Sequence, residues 1–86
     1  MINTENALIF PCDFTIKAIG INSINFQEDI INIIQSDFFN AKFICNHSAN
    51  HKYIAITITM DNVQNQKILD QLYTKLVQHP DSKMVL

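Results

Sequence analysis

A chain of 86 residues makes one domain, burying roughly 60–65% of its unfolded surface, enough for a single core. With 48% hydrophobic and only 16% charged residues, it falls outside the disordered class, which is polar and highly charged. A net charge of −2 with six lysines and no arginine argues against a nucleic-acid partner, and removes the planar guanidinium fork that reads phosphate, carboxylate and guanine edges.

The opening MINTENALIF carries an acidic residue, no basic stretch and no long apolar run, so it does not read as a secretory leader. Residues 1–9 are expected to be a loosely held arm before one domain over 10–86. No uninterrupted apolar run approaches the roughly 18 residues of a membrane span, and the expected location is cytoplasmic. Cys12 and Cys45 have no CxxC spacing and are expected to be reduced thiols.

After Pro11, the segment Phe14 to Gly20 alternates Phe14, Ile16 and Ala18 against Thr15, Lys17 and Ile19. That period of two predicts a first strand, ended by Gly20, the only glycine in the chain. A helix is expected over about 24–38. Asn25 and Glu28 form a cap-like pair, Glu28 and Asp29 fall in its first turn, and Phe26, Ile30, Ile33 and Ile34 form its apolar stripe. Isoleucine is a mediocre helix former, so this helix needs a sheet beneath it.

Lys42 to His47 predicts a short second strand, HSANH (47–51) a polar turn, and Lys52 to Met60 a third strand. In that third strand Ile54, Ile56, Ile58 and Met60 share one face, and Tyr53, Ala55, Thr57 and Thr59 the other. Asp61 or Asn62 is placed to cap a second helix near 62–78, striped by Val63, Leu69, Leu72, Tyr73, Leu76 and Val77. Pro80 forbids its continuation, and SKMVL (82–86) predicts a last strand.

The order strand, helix, strand, strand, helix, strand predicts an α+β, ferredoxin-like βαββαβ sandwich. Its antiparallel sheet would run 4-1-3-2 with both helices on one face. The other face would carry Thr15, Lys17, Tyr53 and Thr57, with Lys83 and Val85 as further candidates.

Little in this frame reads as catalytic. Cys45, His47 and His51 form C-x-H-x3-H around the hairpin and are zinc-ligand types. No fourth ligand is near in sequence, and Phe43 on the same strand face marks Cys45 as buried, so no metal is expected. Cys12 has no local histidine base. The carboxylates Glu28, Asp29, Asp61 and Asp81 stand at helix starts and turns, where capping explains them. RNA-recognition domains share the topology but stack bases on several aromatics, and this open face offers Tyr53 alone. Lys17, at mid-strand on the uncovered face, reads either as a solvated charge that discourages aggregation or as a receptor for an anion. Gly20 reads either as a turn that needs a positive φ or as a place where a ligand approaches bare backbone.

FPCDFTIKAIG (10–20) and the terminal KMVL (83–86) resemble the YbeD-like family of small bacterial proteins. Its pattern of Phe-Pro followed by Phe-x-x-Lys-x-x-Gly is met by Phe10, Pro11, Phe14, Lys17 and Gly20. The likeness spans about residues 8–86. It implies an ACT-like fold and a suggested lipoic-acid-binding regulatory role. ACT-like domains take small metabolites near the end of the first strand, which points to Lys17 and Gly20. Cys45, His47 and His51 lie outside the family pattern.

The expectation is therefore a non-enzymatic regulatory module with no catalytic residues and no cofactor, binding a small carboxylate such as lipoate or an amino acid. An adaptor that docks another protein on the open sheet face is the alternative. Uncovered strand edges and an uncovered face predict a homodimer.

Overall fold

The computed structural model describes residues 9–86; all of the expected arm except Ile9 lies outside the described residues. The elements are β1 (Cys12–Ile21), α1 (Ile24–Gln35), β2 (Lys42–His47), β3 (Tyr53–Val63), α2 (Gln66–Gln78) and β4 (Ser82–Val85). The sheet order is β2-β3-β1-β4 with all neighbours antiparallel, which is the expected 4-1-3-2 read from the other edge.

The alternation in β1 and β3 sets the layers. Ile16 and Ala18 of β1 and Ile54, Ile56, Ile58 and Met60 of β3 are at most 1% exposed. Against them lie Phe26, Ile30 and Ile34 of α1 and Leu69, Leu72 and Leu76 of α2, spaced at three and four residues. Val77, expected in the α2 stripe, is 61% exposed: the stripe runs through Ile68, Leu69, Leu72 and Tyr73 and narrows to Leu76 alone in the last turn. No polar or charged side chain is buried among the described residues.

Helix α1 begins at Ile24 as expected, but both helix caps differ from expectation. Ser23, not Asn25, caps α1, its Oγ accepting from the Phe26 amide at 3.1 Å. Helical geometry thus begins at Ile24, and Glu28 and Asp29 fall beyond the first turn. The helix stops at Gln35 rather than 38, yet Phe38 still reaches the core because its amide folds back onto the Ile34 carbonyl at 2.8 Å.

At the second helix the strand wins. A bulge sets Asp61 and Asn62 opposite Asp13 alone, between the pairs Phe14–Met60 and Cys12–Val63. Asn62 takes φ 60°, which asparagine tolerates better than most residues, and donates its amide to Asp13 Oδ1 at 3.1 Å. The extra residue turns Val63 into the core as the end of β3. Neither Asp61 nor Asn62 caps α2; Asn65 does, accepting from the Ile68 amide at 3.1 Å.

Gly20 neither ends β1 nor adopts a positive φ. It lies inside the strand, buried, where an added Cβ would come within 2.5 Å of Phe26 Cζ and 2.6 Å of the Asp81 carbonyl oxygen. The sole glycine is required by packing, not by a turn.

Around it a junction forms that the sequence did not reveal. His79, just past α2, bonds Asp29 of α1 through Nε2 at 2.7 Å. Its Nδ1 accepts the Asp81 amide at 3.1 Å, so Nε2 carries the ring proton and donates it. The same imidazole meets the Phe26 ring edge-on at 5.3 Å, tying both helices to the strand ends.

Candidate functional site

The face of the sheet away from the helices is the surface the fold leaves open. Cross-strand partners share a face, so the register assigns it. Thr15, Lys17, Ile19 and Ile21 of β1 lie beside Thr59, Thr57, Ala55 and Tyr53 of β3. Lys42, Ile44 and Asn46 of β2 flank these, and Met84 of β4 pairs with Ile19. Lys17 stands where the sequence puts it, exposed at mid-strand. Its backbone is held on the far side by Leu86, through bonds of 3.1 and 2.8 Å.

Val85 does not belong to this face. It pairs with Ala18 and packs against the core. A register shift between Ile19 and Gly20 leaves Lys83 as the unpaired residue of β4, and this turns Lys83 outward beside Met84. There Ile19, Tyr53, Lys83 and Met84 line a shallow depression of about 340 Å³. Met84 is 53% exposed, and Tyr53 is covered on one side by Lys52, whose Nζ lies 5.6 Å from the ring centre.

Charge is sorted on this face. Lys17, Lys42 and Lys83 stand among its strand residues, and the carboxylates of these strands, Asp13 and Asp61, are confined to the bulged end of β1 and β3, away from the depression. In a chain of net charge −2, that gathers three exposed lysines on one surface, a local excess of positive charge that favours an anion. Of the depression, the sequence signalled Ile19, Tyr53 and Lys83. Met84 was missed because its facing depends on the bulge.

Lys17 and Gly20 do not converge. Three residues apart on one strand, they point to opposite faces, and the room left by the missing side chain of Gly20 is taken by Phe26. The hairpin cluster is also loose. Cys45 is exposed rather than buried, because β2 is an edge strand beyond the reach of the helices. The His47 and His51 rings lie 5.5 Å apart, tilted, and among the described residues no three His, Cys, Asp or Glu side chains gather where they could hold a metal ion. No described helix is long and apolar enough to cross a membrane.

Comparison with known proteins places this geometry in context. The family model described as "Protein of unknown function (DUF493)" matches residues 5–86. A UPF0250 protein of Nitrosomonas europaea is 33% identical, with 96% of this chain and 99% of that one covered. A UPF0250 protein of Paraburkholderia phymatum is 34% identical over 95% of this chain and 94% of its own. Among solved structures, the solution structure of protein HP0495 from H. pylori superposes with a TM-score of 0.73, covering 100% of this chain and 96% of that one. At 16% identity that likeness shows the shared fold.

Proposed function

The chain belongs to the DUF493 family of proteins of unknown function, and from that premise we propose that it is a non-enzymatic, cytoplasmic regulatory module that binds a small carboxylate on its open sheet face. One observation carries the reading: Lys17 and Lys83 share that face with the apolar depression at Ile19, Tyr53 and Met84, and the carboxylates of its strands, Asp13 and Asp61, stand at the bulged far end of β1 and β3 rather than beside the depression. A lysine ammonium would take the carboxylate, and the depression would take an apolar body.

The same observation orders the ligand classes. An amino acid brings an ammonium group that needs an acidic partner, and the residues lining the depression supply none. A monocarboxylate with an apolar tail, of which lipoate is an example, uses both the charge and the depression. Gly20 takes no part, since its face is filled.

A thermal-shift screen of carboxylates tests this directly, because a ligand at 100 times its dissociation constant adds about 2.7 kcal/mol of stability. Lipoate or octanoate is expected to raise the melting temperature more than glycine or alanine. Lys17→Ala and Lys83→Ala should each weaken binding roughly tenfold to hundredfold by removing a charge-assisted hydrogen bond. Both side chains are exposed, so unfolding free energies should move by less than about 0.5 kcal/mol. Unchanged affinity in both variants would sink the assignment.

The second reading is self-association, with the protein as an adaptor. It is favoured by β2, an edge strand of six residues in unbroken register with β3, exposed at every position but Phe43, with Ile44 at 62% on the open face. Such an edge is a template for a second copy, whereas β4 is short and bulged. Pairing along β2 would keep the lysine faces side by side rather than pressed together. Sedimentation at high micromolar concentration should show a dimer, and Ile44→Pro should abolish it. A monomer there would overturn this reading.

A further inference from the structure

At the end of the sheet opposite Gly20, the connection from α1 to β2 faces the β3 bulge and the first turns of α2 across a groove of about 500 Å³. Its walls are set by features already described. The reversal after Ile34 sends Phe38 into the core and leaves Phe39 77% exposed at the rim. The bulge at Asn62 turns Asp61 out on the other side. Ile68, half-buried, supplies apolar floor, and Asn40 and Gln71 add amide groups.

The charge of this groove is the reverse of the open sheet face. Asp37 and Asp61 both line it, and no lysine or histidine does. Among the described residues neither carboxylate has an ion-pair partner. Two unneutralised carboxylates repel an anion, so this groove cannot serve the carboxylate ligand proposed above. A bare metal ion is poorly served as well, since no three ligand groups converge there among the described residues and Phe39 would have no part in holding one.

We propose that the groove docks a basic peptide segment of a partner protein, with an arginine side chain as its main contact. A guanidinium forks onto a carboxylate and stacks on an aromatic face with the same planar group, and Asp61 and Phe39, which both line the groove, supply those two partners. The aliphatic stem of arginine covers apolar floor, which Ile68 provides. Asn40 and Gln71 offer both donors and acceptors, which suits the main chain of a peptide better than a compact free cation. The chain has no arginine, so a second copy cannot supply that contact; the occupant is a different protein.

The probe is a short labelled peptide alternating arginine with leucine, titrated into the full chain and followed by anisotropy and by backbone amide shifts. Binding should perturb Asp37 to Ala41, Asp61 to Gln64, Ile68 and Gln71. Asp61→Asn and Phe39→Ala should each weaken it roughly tenfold, the scale of one charge-assisted or cation–π contact. Glu28→Gln, on an exposed helix position outside the groove, should change it less than about twofold, and a lysine-for-arginine peptide should bind more weakly. Phe39 is exposed enough for its variant to remain folded, which circular dichroism checks. Absence of binding, shifts centred elsewhere, or an equal loss with Glu28→Gln would overturn the proposal. So would spermidine binding as tightly as the peptide without dependence on Phe39, which would make the groove a site for simple cations.

Discussion

Gly20→Ala is expected to destabilise the protein by about 3 kcal/mol, at the upper end of the usual cost of overpacking a core. The added methyl would sit 2.5 Å from Phe26 Cζ on one side and 2.6 Å from the Asp81 carbonyl oxygen on the other. A flexible side chain could yield to the first contact. Phe26 cannot, because it is fully buried and braced by His79. The second contact is backbone, and the same Asp81 carbonyl accepts the Ile21 amide at 3.0 Å, so moving it breaks a bond between β1 and the start of β4. A domain of 86 residues has a total stability of about 4–13 kcal/mol, so the loss would be a large fraction of it. Urea unfolding followed by far-ultraviolet circular dichroism measures it; the chain has no tryptophan to report by fluorescence. A change below about 0.5 kcal/mol, the level of an ordinary surface substitution, would mean that the junction is looser than drawn. The outcome also bears on function. Loss of ligand binding in Gly20→Ala would reflect a damaged fold, whereas Lys17→Ala and Lys83→Ala probe the open face alone.

The layers were legible because β1 and β3 alternate cleanly and because α1 and α2 repeat leucine or isoleucine at three and four residues. Those periodicities depend only on local backbone geometry. What the sequence hid depends on contacts between distant residues. The β3 bulge exists because Asp13, 49 residues away, accepts the Asn62 amide, and without that partner Asp61 and Asn62 look like helix caps. Ser23 wins the α1 cap over Asn25 while its hydroxyl also bonds Asp81 at 3.3 Å. Gly20 is glycine because of Phe26 and Asp81, and neither constraint is visible in its neighbours.

The same distinction separates the two concave sites. Lys17 could be placed on the open face by counting along one strand. The depression beside it needed the β4 bulge that exposes Lys83 and Met84 together, and the acidic groove needed two loops brought together by the closed sheet. Opposite charge on these surfaces underlies the two proposals, a carboxylate at one place and a basic peptide at the other. Salt should weaken both, since each rests on exposed charges, but competition between an acidic ligand and a basic peptide is not expected.

Phe26→Ala is expected to cost about 3–5 kcal/mol, the usual loss for a buried aromatic, and the largest effect anticipated for this protein. Its ring is wholly buried, fills the space left by Gly20 and backs the imidazole of His79, so truncation leaves a void beneath the hydrogen-bonded junction of His79 and Asp29. The pair with Gly20 makes the prediction sharper. Once the ring is gone, the methyl of Gly20→Ala loses the closest of its contacts and meets only the Asp81 carbonyl oxygen. The double variant should therefore be more stable than the sum of the two single losses predicts, by about 1–2 kcal/mol, within the range seen for residues in direct contact. Additive losses would show that the strain of an alanine at position 20 comes from the Asp81 backbone and not from the ring, and that Phe26 adapts to its neighbours more freely than its burial implies.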